Sequence, residues 1–243
     1  MIKKLILSLG LVATLSFGAT MEDALNAAKK GDNKTALAIY EDLASNGNPE
    51  AQFALGVMYD NVKGVKQDYK KAFEWYEKAA KQGYAEAQYL LGGKYDNGQG
   101  VKQDYKKAFE WYEKAAKQGY SYAQYSIGDM YRIGLGIKQD LKKAFEWWEK
   151  AAKQGLSQAQ YDLGVMYDNG QGIKQDYKKA FEWYEKAANQ GYSSAQFNIG
   201  DMYANGQGVK QDKKIAKEWF GKACDGGVQN GCDNYKILNQ QGY

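Results

Sequence analysis

A 17-residue stretch, DYKKAFEWYEKAAKQGY, occupies Asp68–Tyr84 and returns almost unchanged at Asp104–Tyr120 and Asp176–Tyr192. Looser copies begin at Asp140 and Asp212, and Trp75, Trp111, Trp147, Trp183 and Trp219 keep the same interval of 36 residues. A fixed period of this size marks a stacked array of short structural units, each unable to bury its apolar face alone. The chain therefore grows by adding units rather than by enlarging one core, and its 243 residues need not mean one or two ordinary domains. Aromatic residues make up 14% of the sequence and recur with the repeat, which makes them packing residues first.

Each full unit carries two helical patterns. The first is Pro49–Asn61, with Pro49 suited to the first helical turn. The second is Asp68–Gln82, with Asp68 as the N-cap and Gly83 at the left-handed position that ends a helix. Tyr69, Ala72, Phe73, Tyr76, Ala79 and Ala80 follow the spacing of one helical face. Lys70, Lys71, Glu74, Glu77, Lys78 and Lys81 form the outer, solvated face, where Glu74–Lys78 and Glu77–Lys81 are spaced as ion pairs. Between the helices lies the Gly-rich turn DNGQGVKQ, Asp96–Gln103, repeated at Asp168–Gln175 with Ile173 for valine. It follows a helix and lacks the Lys-Ser/Thr of a phosphate-binding loop, so it reads as a turn. Val62 breaks this pattern where Gly98 stands one unit later, and that turn is expected to differ in shape.

The boundaries predicted are 49–84, 85–120, 121–156, 157–192 and 193–228, preceded by a degenerate unit over 20–48 and followed by a capping helix and tail over 229–243. Residues 1–19 carry Lys3 and Lys4, an apolar run from Leu5 to Phe17, and then Gly18 and Ala19. This is the pattern of a secretory signal peptide, too short to span a bilayer comfortably. The expectation is a periplasmic or secreted chain with no stable membrane span. Cys224 and Cys232, eight apart across a turn in an exported chain, read as a structural disulfide worth about 2–3 kcal/mol. A redox-active pair would want closer CxxC spacing and a partner base.

The first helices differ most between copies. Ala51, Leu55, Met58 and Tyr59 fall on one apolar arc, conserved in kind from copy to copy except for Lys94 in place of Met58. Gly56 recurs as Gly92, Gly128, Gly164 and Gly200, which predicts close approach of the partner helix. Opposite the arc, positions 50, 54, 57 and 61 form a narrow stripe whose content changes. Its candidate binding residues are Glu86, Leu90, Tyr122, Ser126, Asp129, Gln158, Asp162, Ser194, Asn198 and Asp201.

Several function classes fit poorly. Net charge is +4 from 33 basic and 29 acidic residues, interspersed with no concentrated basic face, which argues against a nucleic-acid partner. The sequence has no histidine, which removes Ser–His and Cys–His pairs and histidine-based zinc ligation. No serine has a lysine three residues on, as a serine β-lactamase needs. No catalytic residue, metal ligand or cofactor is therefore assigned. The repeated carboxylates, such as Glu110 and Glu113, lie on the charged outer face.

Ala87, Leu91, Gly92, Tyr95, Gly98, Gly100, Val101, Asp104, Lys107, Ala108, Trp111, Tyr112, Lys114, Ala115, Ala116, Gln118 and Gly119 match the pattern of the Sel-one-like repeat (SLR) family, relatives of the tetratricopeptide repeats. This resemblance covers roughly residues 50–235. It implies an all-α, right-handed α-solenoid of antiparallel helix pairs, with the first helices and their variable stripe on the concave side. The chain is also similar to the secreted Helicobacter cysteine-rich proteins, although only Cys224 and Cys232 match the paired cysteines that those proteins carry in every repeat. The residues point to a non-enzymatic scaffold that holds a protein or peptide, or a cell-wall fragment. The alternative that the resemblance implies is a penicillin-binding protein or a weak β-lactamase.

Overall fold

The fold is that of a computed structural model describing residues 18–61 and 65–243. The expected leader, apart from Gly18 and Ala19, and the turn at Val62 lie outside the described residues. Thirteen α-helices and no strand occur among the described residues. They fall into two compact units, one ending at Ala87 and the other running from Gln88 to Tyr243.

The first unit holds α1 (Met21–Lys29), α2 (Asn33–Ser45), α3 (Pro49–Asp60) and α4 (Tyr69–Lys81), each packed on the next. α5 (Ala85–Asn97) begins at the boundary. The second unit continues through α6 (Tyr105–Lys117), α7 (Ser121–Ile133), α8 (Leu141–Lys153), α9 (Ser157–Asn169), α10 (Tyr177–Asn189), α11 (Ser193–Asn205), α12 (Lys213–Asp225) and α13 (Gln229–Gln240). From α6 on, each helix packs against its successor.

The ends of the helices are set by the residues that the repeat copies. Asp68 accepts hydrogen bonds from the amides of Lys70 and Lys71, Asp104 and Asp212 likewise from two amides, and Asp140 and Asp176 from the single amides of Lys143 and Lys179. Gly134, Gly170 and Gly206 end the first helices in the left-handed conformation. The glutamine that follows each Gly-rich turn then donates back to a terminal carbonyl. Gln103 reaches Asp96 O at 2.7 Å, and Gln139 reaches Arg132 O at 2.6 Å.

Helix pairs lock together where a glycine meets a large ring. A Cβ at Gly92 would come within 2.6 Å of the Tyr112 ring, and one at Gly56 within 2.5 Å of the Tyr76 ring. Tyr76, Tyr184, Trp148 and Phe220 are almost fully buried. Their first-helix partners change with them. The hydroxyls of Tyr76, Tyr112 and Tyr184 point at Asp60, Asp96 and Asp168, each at 3.4 Å. Where Trp148 replaces the tyrosine, Arg132 replaces the aspartate and its guanidinium lies 6.0 Å from the ring centroid. Where Phe220 removes the hydroxyl, Ala204 removes the carboxylate.

Neighbouring repeats are joined by buried glutamines. The Gln124 amide donates to Ala116 O at 3.2 Å and its carbonyl oxygen accepts from Gln154 at 2.7 Å. Gln160 makes the same pair of bonds to Ala152 O and Gln190. In the last copy Cys224 and Cys232 take the places of the alanine and the glutamine and form a disulfide. On the outer face, Glu77–Lys81, Glu113–Lys117 and Glu149–Lys153 pair at 2.9–3.0 Å. Lys78, spaced to meet Glu74, lies instead over the Trp75 ring at 3.8 Å, because the flat indole one turn back is within reach of its flexible stem.

Candidate functional site

Within the second unit the first helices carry the variable stripe from Leu90 to Asp201, whose residues are not free in solvent, while Glu86 lies in the first unit. Ser126, Asp129, Gln158, Asp162, Ser194, Asn198, Asp201 and Leu90 are all partly buried, and among the ten candidates Tyr122 is the exposed one. The reason is a second row of side chains beside it. The Tyr125 hydroxyl on α7 donates to Asp162 Oδ2 on α9 at 2.8 Å. Ser126 lies near the Tyr89 hydroxyl and Asn198 near that of Tyr161, and each polar side chain opposes the rise that burial imposes on the phenol. Each tyrosine thus meets the stripe residue 37 positions later, one repeat plus one residue. Sequence reading missed these tyrosines because it grouped residues within a helix. The 37-residue offset was the available signal.

Charge concentrates around Tyr125. Asp129 pairs with Arg132 at 3.5 Å on the same helix. Arg132 is the single arginine of the sequence. Burial pushes the Asp162 carboxyl up to about 6. The Tyr125 hydrogen bond and Arg132 oppose that rise, and Asp129 adds to it. Burial also raises Asp129 and Asp201, with Arg132 countering it at Asp129 and Asp168 reinforcing it at Asp201. Burial raises the Tyr125 phenol as well, followed by the charge of Asp162.

An aromatic cluster lies at the start of α7. The rings of Tyr89 and Tyr120 lie 5.2 Å apart, and Tyr122 lies 6.2 Å from the first and 5.9 Å from the second. Gln158 accepts from the Ser157 hydroxyl at 3.3 Å.

In the first unit the corresponding positions have another character. Glu50, Ala54 and Val57 line a groove of about 300 Å³ together with Met21, Leu25 and Phe53. Tyr84 closes one side, and its phenol is raised by burial and then by Glu86 and Glu50. No group of three or more His, Cys, Asp or Glu side chains is arranged to hold a metal among the described residues.

The Sel1 repeat family profile matches residues 49–84, 85–120, 121–156, 157–192 and 193–228. Among solved structures, a protective antigen of uropathogenic Escherichia coli with an SLR fold is 32% identical, with a TM-score of 0.84. The match covers 93% of this chain and 52% of that one, so this chain spans about half of its length. A Sel1 repeat protein from Oxalobacter formigenes is also 32% identical, with a TM-score of 0.80, over 87% of this chain and 84% of that one. Cysteine rich protein B of Helicobacter pylori is 29% identical over 55% of this chain and 96% of its own, with a TM-score of 0.43. No curated protein sequence matches the chain. Five consecutive repeats with these motifs and this all-α architecture identify the lineage: the chain belongs to the Sel1 repeat family.

Proposed function

We propose that this chain is an exported, non-enzymatic binding scaffold that holds a segment of another protein on its first-helix face. Sel1 repeat proteins generally mediate protein–protein interaction. The observation that carries the reading here is where the copies disagree. The second helices, caps, glutamine bonds and glycine–ring contacts are copied from repeat to repeat. The stripe is not, and it changes from an apolar groove in the first unit to half-buried acids and the exposed Tyr122 in the second. Scaffold positions are constrained by packing, and departures from the local rule mark sites under a different demand.

Selection of peptides from a displayed random library on the purified chain tests this. Enriched peptides should lose binding to Tyr122→Ala and keep it with Glu110→Gln on the second-helix face. A library that enriches nothing, or peptides insensitive to stripe variants, would overturn the reading. The β-lactam alternative rests on resemblance alone. Chromogenic cephalosporin turnover that survives extensive purification would favour it over a pure scaffold.

A further inference from the structure

The first helices of the second unit carry a charge pattern that their packing does not require. α7, α9 and α11 bear Asp129, Asp162 and Asp201 against Arg132, besides Asp168, which accepts the Tyr184 hydroxyl, while α8, α10 and α12 each carry more lysines than carboxylates. Uncharged residues fill equivalent positions elsewhere in the chain: Ser126 and Asn198 where Asp162 stands, and Val165 where Asp129 and Asp201 stand. The fold therefore accommodates neutral side chains at these places. The acids present are half buried, and burial disfavours their ionised forms. Arg132 offsets this for Asp129, whereas the charged neighbour of Asp201 is another carboxylate, Asp168.

An independent feature lies on the same face. Tyr122 stands where other repeats have Glu86, Gln158 or Ser194, and it adds a third ring to the Tyr89–Tyr120 pair. It is 48% exposed. An exposed aromatic ring on the helix that also carries Asp129, on a face with four carboxylates to one arginine, suits an alkylammonium or a guanidinium, which gains from both ring quadrupole and charge. Tyr122 and Asp129 are two helical turns apart, about 10 Å, which is also the reach of three residues of extended chain.

We propose that the first-helix face of this unit takes an extended, lysine- or arginine-bearing segment of a partner protein. One cationic side chain lies on Tyr122, and others face Asp129, Asp162 and Asp201. This deepens the scaffold reading and rests on it.

The test uses the full chain and a fluorescein-labelled peptide with lysine at every third position in a Gly/Ser background, read by fluorescence polarisation. Matched glutamate and uncharged peptides serve as controls. The lysine peptide alone should bind. Tyr122→Ala should weaken it about two- to five-fold, the effect of one exposed cation–aromatic contact. Asp129→Asn with Asp201→Asn should weaken it about tenfold, and the charge-matched pair Glu110→Gln with Glu146→Gln less than about two-fold. Equal weakening by the two charge-matched pairs would show diffuse attraction and overturn the proposal. So would the absence of lysine-peptide binding, or salt-sensitive self-association abolished by the stripe variants, which would make a second copy the occupant. If the random library instead yields uncharged or acidic peptides held on the stripe, the scaffold reading stands and this proposal falls. If the library enriches nothing, both fall.

Discussion

Gly92 and Gly93 are adjacent residues in α5 with opposite roles. A Cβ at Gly92 would strike the Tyr112 ring at 2.6 Å, whereas one at Gly93 would meet the Tyr112 hydroxyl at an ordinary 3.6 Å. Gly92→Ala should therefore destabilise by about 1–3 kcal/mol through overpacking. Gly93→Ala should be neutral or stabilise by up to about 1 kcal/mol, because alanine loses less backbone entropy on entering a helix. Thermal melts of the two variants check the contrast, and equal melting temperatures would refute the packing account. Asp162 supplies a second residue-scale prediction. Its carboxyl keeps its proton to about pH 6, against an ordinary value of 3.8. The folded state therefore binds more protons than the unfolded chain between those values, and stability falls as pH rises through that window. The groups facing it are Tyr125, Asp129 and Arg132 of α7, together with Tyr161 and Tyr192. Asp162→Asn keeps an acceptor for Tyr125 and removes the charge. It should raise stability by roughly 2 kcal/mol above pH 7, and the gain should shrink towards zero near pH 4. Denaturant melts across that range measure this, and a pH-independent difference would contradict it.

At the scale of elements, much was legible because each helix repeats its own punctuation. Asp68 as a cap, Gly83 at the end, and Gly56 beneath a ring are local statements that five copies make together. Three features escaped because they join residues from different helices. They are the glutamine bonds within and between repeats, the Tyr125–Asp162 bond, and the exchange of Tyr–Asp for Trp148–Arg132. A hydrogen bond between side chains 30 or 37 residues apart leaves no periodic trace within one element. The cysteines belong to this scale as well. The disulfide ties α12 to α13, a largely polar helix whose buried residues are Gly231 and Leu238. Cys224→Ser/Cys232→Ser should lower stability by about 2–3 kcal/mol. Hydrogen exchange should rise first in Gln229–Gln240, and protection there equal to that of the oxidised protein would remove the staple from the account.

Over the whole molecule, the repeat made the architecture readable, while the candidate face was readable only in outline. Its positions followed from where copies differ, but its burial did not, because Ser126, Asp162 and Asn198 gain their neighbours from another repeat. Export belongs to this scale. Residues 1–20 fused to alkaline phosphatase should give activity outside the cytoplasm of a bacterial host, and Leu7→Arg with Leu11→Arg should abolish it. A fusion inactive from the outset would remove the exported setting while leaving the binding face untouched.

The glutamine bonds carry a consequence for how such a chain lengthens. Gln160 receives Gln190 from its own repeat and gives its amide to the carbonyl of Ala152 in the repeat before. A duplicated repeat inserted between existing ones brings a matching donor and acceptor for both of its neighbours. At the end, Gly226 stands where Gln190 stood and Cys232 where Gln196 stood, and the sulfur is already bonded to Cys224. A copy added beyond α13 would find no amide to meet it. The array is open to growth from within, so its length can change over generations without α13 being redesigned.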